Sequence, residues 1–274
     1  MTGLATAGAL IFAGGSVQTS SDAVKVAREQ LKQAQDNQIT ERFTKAVNQL
    51  SSREPTVRLS GIYTLERVAG DSARDQPVVT EALCAFIRVK TEQILSRKNG
   101  RLPDHPDLDT QAALSVIGRR TIQRQPEVVD LRKTHLVGAD LMYAHLANAN
   151  LEMVNLSFSQ LKNASLTGAK LSNARFPSTD FTHAELGGAT MPDISAAHAK
   201  FVDADLRGAT LRNAKLSSAD FKNAKLGQAD LDSADLRGAR NITLGQLRSA
   251  KRITAGTRLP EGFLWTAAKG VRKK

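Results

Sequence analysis

The 274-residue sequence holds a single cysteine. No internal disulfide can form, and a reducing cytoplasm is the natural setting. Cys84 sits in the apolar run EALCAFIRV and reads as a small buried side chain rather than a nucleophile. Aromatic residues make up only 4% of the chain, which excludes a core built on large rings and suits a narrow interior. There is no Gly-rich phosphate loop, no metal-ligand spacing and no nucleophile motif. The expected catalytic, cofactor-binding and metal residues are therefore none, and the chain is read as a non-enzyme. Long hydrophobic runs are missing as well. Residues 3–15 (GLATAGALIFAGG) are nearly all apolar or Gly, and no charge precedes Asp22. Such a stretch is short against the roughly 20 residues of a membrane span. It also lacks the basic start and clear cleavage site of a signal peptide. Three readings of residues 1–21 stay open: a membrane anchor or the remnant of one, a loose terminus, or an interfacial or packed helix.

What the sequence has in abundance is a period of five. The 22 positions from Leu131 to Leu236 at steps of five carry sixteen Leu, four Phe, Met191 and Ala196. Two residues ahead of each runs a second register, in which 16 of the 21 positions from Thr134 to Ala234 are Ala. A helix turns about 100° per residue, so five residues scatter the leucines around the whole cylinder. A straight strand alternates faces with period two, so an odd repeat flips each leucine to the opposite side. The pattern demands a bend in every repeat. In Ala204-Asp205-Leu206-Arg207-Gly208, Ala and Leu share the inner face, Asp points out, and the last two residues turn the corner. Short edges joined by corners coil into a solenoid filled with Leu and Ala.

The segments GADLMYAHLANANL, VDADLRGATLRNAKLSSADF and GQADLDSADLRGA resemble the pentapeptide-repeat family. The resemblance covers 129–238 and implies a right-handed quadrilateral β-helix with four repeats per coil. The expected fold class is thus a mainly β solenoid with an α-helical N-terminal domain. Residues 20 apart should stack, which aligns Phe181, Phe201 and Phe221 in one column below Leu141 and Leu161. Phe176 falls opposite Ala196, where Ile194 can refill the volume. Stacks of coils about 4.8 Å apart give a rod roughly 25 Å long.

Ahead of the repeats, residues 22–128 read as helices. Val24, Ala27, Leu31 and Ala34 mark one, with Ser21 or Asp22 as its cap, and Ile39, Phe43, Val47 and Leu50 a second run. Pro55 opens a helix ending near Gly70, and Pro77 one that ends near Leu95. A loop follows over 100–106, and then a short helix from Ala112 to Gly118 capped by Asp109, leading through Pro126 into the first coil. This region also resembles the helical segment ahead of the repeats in actinobacterial pentapeptide-repeat proteins, which often follows transmembrane helices. The domain plan is an apolar segment at 1–21, a helical domain at 22–128, the repeats at 129–240, and a C-terminal cap and basic tail at 241–274. Thr243 caps a short helix with Leu247 inward, and Leu259, Phe263, Leu264 and Trp265 gather over the open end.

Net charge is +11, unevenly placed. The repeats 129–238 carry 12 basic and 12 acidic groups, whereas the last 36 residues carry nine and one, or +8. The expected partner is a protein, of unknown identity, with membrane proximity through residues 1–20 as a further expectation. Lys269, Arg272, Lys273 and Lys274 form a basic fringe that suits an anionic lipid or nucleic acid. The resemblance also implies DNA mimicry toward a type II topoisomerase and quinolone resistance. That mechanism needs a negative rod, and these repeats are neutral. It further implies homodimers through terminal coils, against which two +8 ends argue. Asp140, Asp180 and Asp220 share one outer face with Gln160 and Lys200, the pattern of a solvated edge rather than an acid/base pair. His135 and His145 lie half a coil apart, and no histidine pair is spaced by 20, so none ladders a metal.

Overall fold

A computed structural model describes residues 5–96, 102–121 and 129–274, with side chains described from Asp22 onward. Helices α1 (Ala5–Leu50), α2 (Pro55–Asp71), α3 (Gln76–Leu95) and α4 (Leu108–Arg119) precede the repeats. Helix α5 (Leu244–Ser249) and the hairpin β1 (Phe263–Thr266) and β2 (Gly270–Lys273) follow them. Parallel bridges join residues 20 apart, from Asp130↔Asn150 to Asp220↔Arg240, so each coil is four quintets stacked on the last.

Twenty of the 22 quintets close their corner with the same hydrogen bond, those at Leu131 and Met191 excepted. In the second coil Ala164 N–H donates to Leu161 O at 3.1 Å, and Asn163 between them has φ +57°. Left-handed geometry at only the third residue of a hydrogen-bonded four-residue turn defines type II. It recurs at every fifth position from Lys133 to Gly238, on five glycines and seventeen other residues. Proline at the second turn position fits the same geometry, as at Pro177 and Pro192. Leu161 and Asn163 N–H donate to the next coil at Asp180 O and Thr182 O, and Gln160 N–H donates back to Ala139 O.

One N–H per quintet remains, on the residue after Leu. All nine Asp or Asn residues on the bridging positions supply its acceptor: Asp140 Oδ1 takes Met142 N–H at 3.1 Å, and Asp220 Oδ1 takes Lys222 N–H at 3.0 Å. The Asx turn is therefore the physical reason for the motif's Asp/Asn preference.

The shaft is apolar throughout. The Phe rings at 181, 201 and 221 stack at 5.1 and 5.3 Å, and Phe176 meets Phe181 edge-on at 5.2 Å. Ile194 and Ala196 are fully buried nearby. Where the Ala register turns polar, the hydroxyls bond to carbonyls of the coil before: Ser159 Oγ to Leu136 O and Thr179 Oγ1 to Leu156 O.

Several expectations are corrected. Residues 5–50 form one continuous helix, so Ser21 and Asp22 cap nothing. Only from Ile39 onward does α1 pack on the core, through Phe43, Ala46, Val47 and Leu50. The earlier stripe with Val24 and Leu31 faces water, since no described element reaches that far. Helix α4 starts at Leu108 and its cap is Asp107; Asp109 lies in the first turn, 1% exposed, and bonds Arg58 and Lys90 instead. Residues 269–274 are no fringe but the turn and second strand of a hairpin, because Val271 is drawn into the core. Leu264 pairs with Arg272 on the face opposite Trp265 and Val271 and stays outside the apolar cluster that holds Leu259, Phe263 and Trp265. The anchor reading of 1–21 and the lead-in at Pro126 fall outside the residues with described side chains. Among the described residues no helix is long and apolar enough to cross a membrane.

The corners give a matched test. Gly138 has φ +68°, and a Cβ there would sit 2.5 Å from Asp104 O; Gly188 has φ +65° with nothing within 4 Å. Gly188→Ala should cost about 1–2 kcal/mol for left-handed geometry alone. Gly138→Ala should cost clearly more, read as the larger fall in denaturant midpoint. Equal costs would show that the 102–107 loop does not seat on the first coil.

Candidate interaction surfaces

Both open ends of the coil stack are closed by side chains that imitate a neighbouring strand. At the first coil, Gln111 of α4 donates Nε2 to Asp140 O at 2.7 Å and accepts Asp140 N–H at Oε1, 3.1 Å. His145 N–H donates to Gly118 O at 2.8 Å, and His135 N–H to Thr91 Oγ1 at 3.4 Å. Beneath them Ala113, Leu114 and Ile117 of α4 join one apolar cluster with the leucines of the shaft. At the last coil Gln246 of α5 donates Nε2 to Phe221 O and Ala224 O, both at 2.8 Å. The same Gln246 completes a capping box with Thr243.

The helical domain is knit by a charge cluster. Asp109 bonds both Arg58 and Lys90, and Lys90 Nζ also reaches Asp107 at 2.5 Å. Burial pulls the Asp107 carboxyl up, but the hydrogen bonds from Lys90 and Thr110 outweigh it and hold the pKa at about 2. Burial pushes the Cys84 thiol up to about 11, so it is protonated and inert at neutral pH. A groove of about 810 Å³ runs between α1, α2 and α3, with Val47, Phe86 and Val89 in its walls and Arg53 and Lys90 at its rim.

The four outer ladders mix charges. Along one face run Asp140, Gln160, Asp180, Lys200, Asp220 and Arg240. Asp180, the most buried of these, takes hydrogen bonds from Thr182 and sits 3.4 and 3.6 Å from Lys162 and Lys200. Burial raises its carboxyl, and these partners together hold it below the ordinary range. All three aspartates accept the N–H two residues on, and of the three only Asp180 forms ion pairs among the described residues. His135 is occupied too, its Nε2 lying 2.9 Å from Pro103 O. Among the described residues no group of three His, Cys, Asp or Glu could hold a metal ion.

Sequence reasoning missed a set of exposed apolar side chains. Tyr143, Met153 and Phe158 are 68, 54 and 62% exposed, and all three occupy left-handed corners. They lie in the first two coils but on three corners. Tyr143 and Met153, ten residues apart, are on opposite corners, and Phe158 stands on a corner between them. Phe158 and Tyr143, with its neighbour Met142, thus flank the face carrying Asp140 and Gln160. The signal was their place in the frame: large apolar residues two after Leu, where the other repeats mostly carry Gly, Asn, Ser, Asp or His.

A family model described as pentapeptide repeats matches residues 129–157, 159–193 and 197–240 in eight copies. Residues 129–240 are thus pentapeptide repeats, the helical region lying outside the match. That family implies a right-handed β-helix, with which the bridges 20 residues apart agree. Among solved structures, QnrB1, a plasmid-mediated fluoroquinolone resistance protein, is 18% identical over 51% of this chain and 70% of its own, with TM-score 0.43. HetL, involved in heterocyst differentiation regulation in the cyanobacterium Nostoc sp. strain PCC 7120, is 24% identical over 48% and 79%, with TM-score 0.22. Rfr23 from the cyanobacterium Cyanothece 51142 is 24% identical over 40% and 63%, with TM-score 0.18. No curated protein matches the sequence.

Two outcomes follow from the turn and cap acids. Asp230 Oδ1 accepts Asp232 N–H at 3.0 Å, an interaction that Asn repeats and Ala removes. Asp230→Ala should lower stability by about 1 kcal/mol while Asp230→Asn stays near wild type, measured by urea unfolding. Asp107 is depressed from 3.8 to about 2 in the fold, so its contribution is complete above pH 4 and lost as pH falls toward 2. The melting temperature should therefore drop over that window, and less steeply in Asp107→Asn, which keeps the cap but not the charge.

Proposed function

We propose that this protein is a non-enzymatic interaction scaffold whose protein partner docks on the first two coils and the adjoining helical domain. The division of labour is an apolar segment at 1–21 for membrane proximity, a helical docking domain at 22–128, a rigid rod at 129–240 and a closing cap at 241–274. The observation that carries the reading is the exposure of Tyr143 and Phe158 at the left-handed corners on either side of the Asp140–Gln160 face. Each accepts left-handed geometry at a cost of about 1–2 kcal/mol and leaves apolar area in water, which a bound partner would cover. Aromatic anchors with a polar surround are the usual centre of a protein interface. The shaft supports the non-enzymatic half of the reading, because its inward positions hold Leu, Ala, Phe and other unreactive side chains.

DNA mimicry is the reading that the charges disfavour. A phosphate-like surface needs a continuous negative face, yet Lys200 and Arg240 interrupt the Asp140 ladder, and Arg175 and Lys215 the one that starts at His135.

A photo-crosslinking residue at position 158 of the full chain, introduced in its native cells, should give one discrete adduct that a matching residue at exposed Lys170 does not. Equal labelling at both sites, or none at 158, would remove the docking face. Supercoiling by purified gyrase should be unchanged at large excess of the protein; inhibition would restore the mimicry reading.

A further inference from the structure

Beyond protein docking, we infer that the C-terminal cap is a contact face for nucleic-acid phosphates, sequence-independent and built on an ordered hairpin. All nine Lys and Arg residues from 239 to 274 are exposed, against Glu261 as the one acid in that stretch. They fall into two layers. Arg240, Arg252 and Arg258 are the last rungs of three ladders, each bridged to an aspartate one coil below: Asp220, Asp230 and Asp235. The acids lie beneath and the cations face the end, so the stack terminates positive. Above them Arg248, Lys251, Lys269, Arg272, Lys273 and Lys274 have no carboxylate within salt-bridge distance among the described residues.

Order is what separates this arrangement from a solvated tail. Val271 is buried, Arg248 Nε donates to Val271 O at 3.2 Å, and Lys274 N–H donates to Gly262 O at 3.0 Å. These bonds hold β2 against α5 and fix its cations at one end of a rigid shaft. Fixed cations lose less entropy on meeting a fixed array of phosphates than a floppy tail would.

Surface chemistry selects the polyanion. Lasting attachment to a bilayer takes an inserted apolar group as well as basic charge. Every large exposed apolar side chain among the described residues lies at or before Phe158, and none on the cap. Nor does the cap expose an aromatic for base stacking, since Phe263 and Trp265 pack against the core. What remains is a set of cations for a phosphate backbone, which conveys affinity without sequence preference.

The test is fluorescence polarisation of the full chain with a labelled duplex of about 20 base pairs and its scrambled counterpart. Both should bind equally, with a micromolar Kd near 50 mM salt and a log–log salt slope of about −4 to −5, as for roughly five phosphates. The triple reversal K269E/R272E/K273E should weaken binding at least about tenfold, because backbone-phosphate affinity scales with the charges engaged. The shaft triple K133E/K170E/R175E changes net charge identically and should stay within about twofold. These exposed positions lie four or more rungs, roughly 19 Å or more, from the cap, and charges more than a Debye length away are screened. Should reversal disturb the hairpin, seen as a lowered melting temperature, the neutral pair R272Q/K274Q reads the same loss. The inference is overturned by no binding at 50 mM salt, by equal loss in both triples, or by tighter binding to phosphatidylserine vesicles or polyglutamate than to duplex at one salt concentration.

Discussion

Stacking across 20 residues is the constraint from which everything else in this molecule follows. A quintet holds too little chain to satisfy itself: its N–H groups bond forward, backward and across its own corner, and in nine quintets the last is taken by an Asx side chain. No single coil has a complete set of partners, so the rod exists only as an array. Two consequences are unavoidable. The interior must keep a constant cross-section, which explains the dominance of Leu and Ala and the gathering of three of the four inward Phe in one stacked column, with Phe176 edge-on beside it. The array must also end twice, and each end leaves a row of backbone groups facing nothing.

The two ends are solved by similar chemistry on different scaffolds. A glutamine amide carries both a donor and an acceptor, as a peptide unit does, and so can stand in for a missing strand. Gln111 does this in full for Asp140, and Gln246 supplies the donor half for Phe221 and Ala224. Around each amide an apolar plug covers the exposed shaft: Leu114 and Ile117 at one end, Leu247 and Val271 at the other. The edge that would otherwise invite another chain is blunted at both ends. The surface left open to other molecules is the sides of the rod and the outer faces of the caps.

Legibility in the sequence follows from this physics. The shaft was readable because its inward residues obey one rule repeated 22 times, and a period of five excludes straight helix and straight strand alike. The aromatic column was readable from spacing alone. The Asx role of Asp140 and its eight counterparts was not, because a carboxylate between Ala and Leu looks the same whether it faces water or folds back onto the backbone. The helical domain was half legible. Proline marked the starts of α2 and α3, but α4 begins earlier than its apolar pattern, since Asp109 is buried by ion pairs that no local rule reveals. The length of α1 was hidden for the opposite reason: its apolar runs at 24–34 and 39–50 read as two helices, and among the described residues 22–38 meet no packed element that would tie the two together.

The candidate surfaces show where local rules break for something beyond the fold. In most quintets the left-handed corner carries Gly, Asn, Asp, Ser or His, the types that tolerate that geometry or cost little when exposed. Tyr143, Met153 and Phe158 depart from that choice with no gain in packing, for each points into solvent. A rod that needed only to stand would have small residues there. The cap departs in the other sense: its cations exceed what the three aspartates beneath can neutralise, although a net-neutral closure would satisfy the stack equally well. Apolar exposure near one end and uncompensated positive charge at the other are kept apart by the length of the shaft. That separation gives the rod two chemically distinct ends, and holding two unlike contacts at a fixed distance is a task for which a stiff, inert column is well suited.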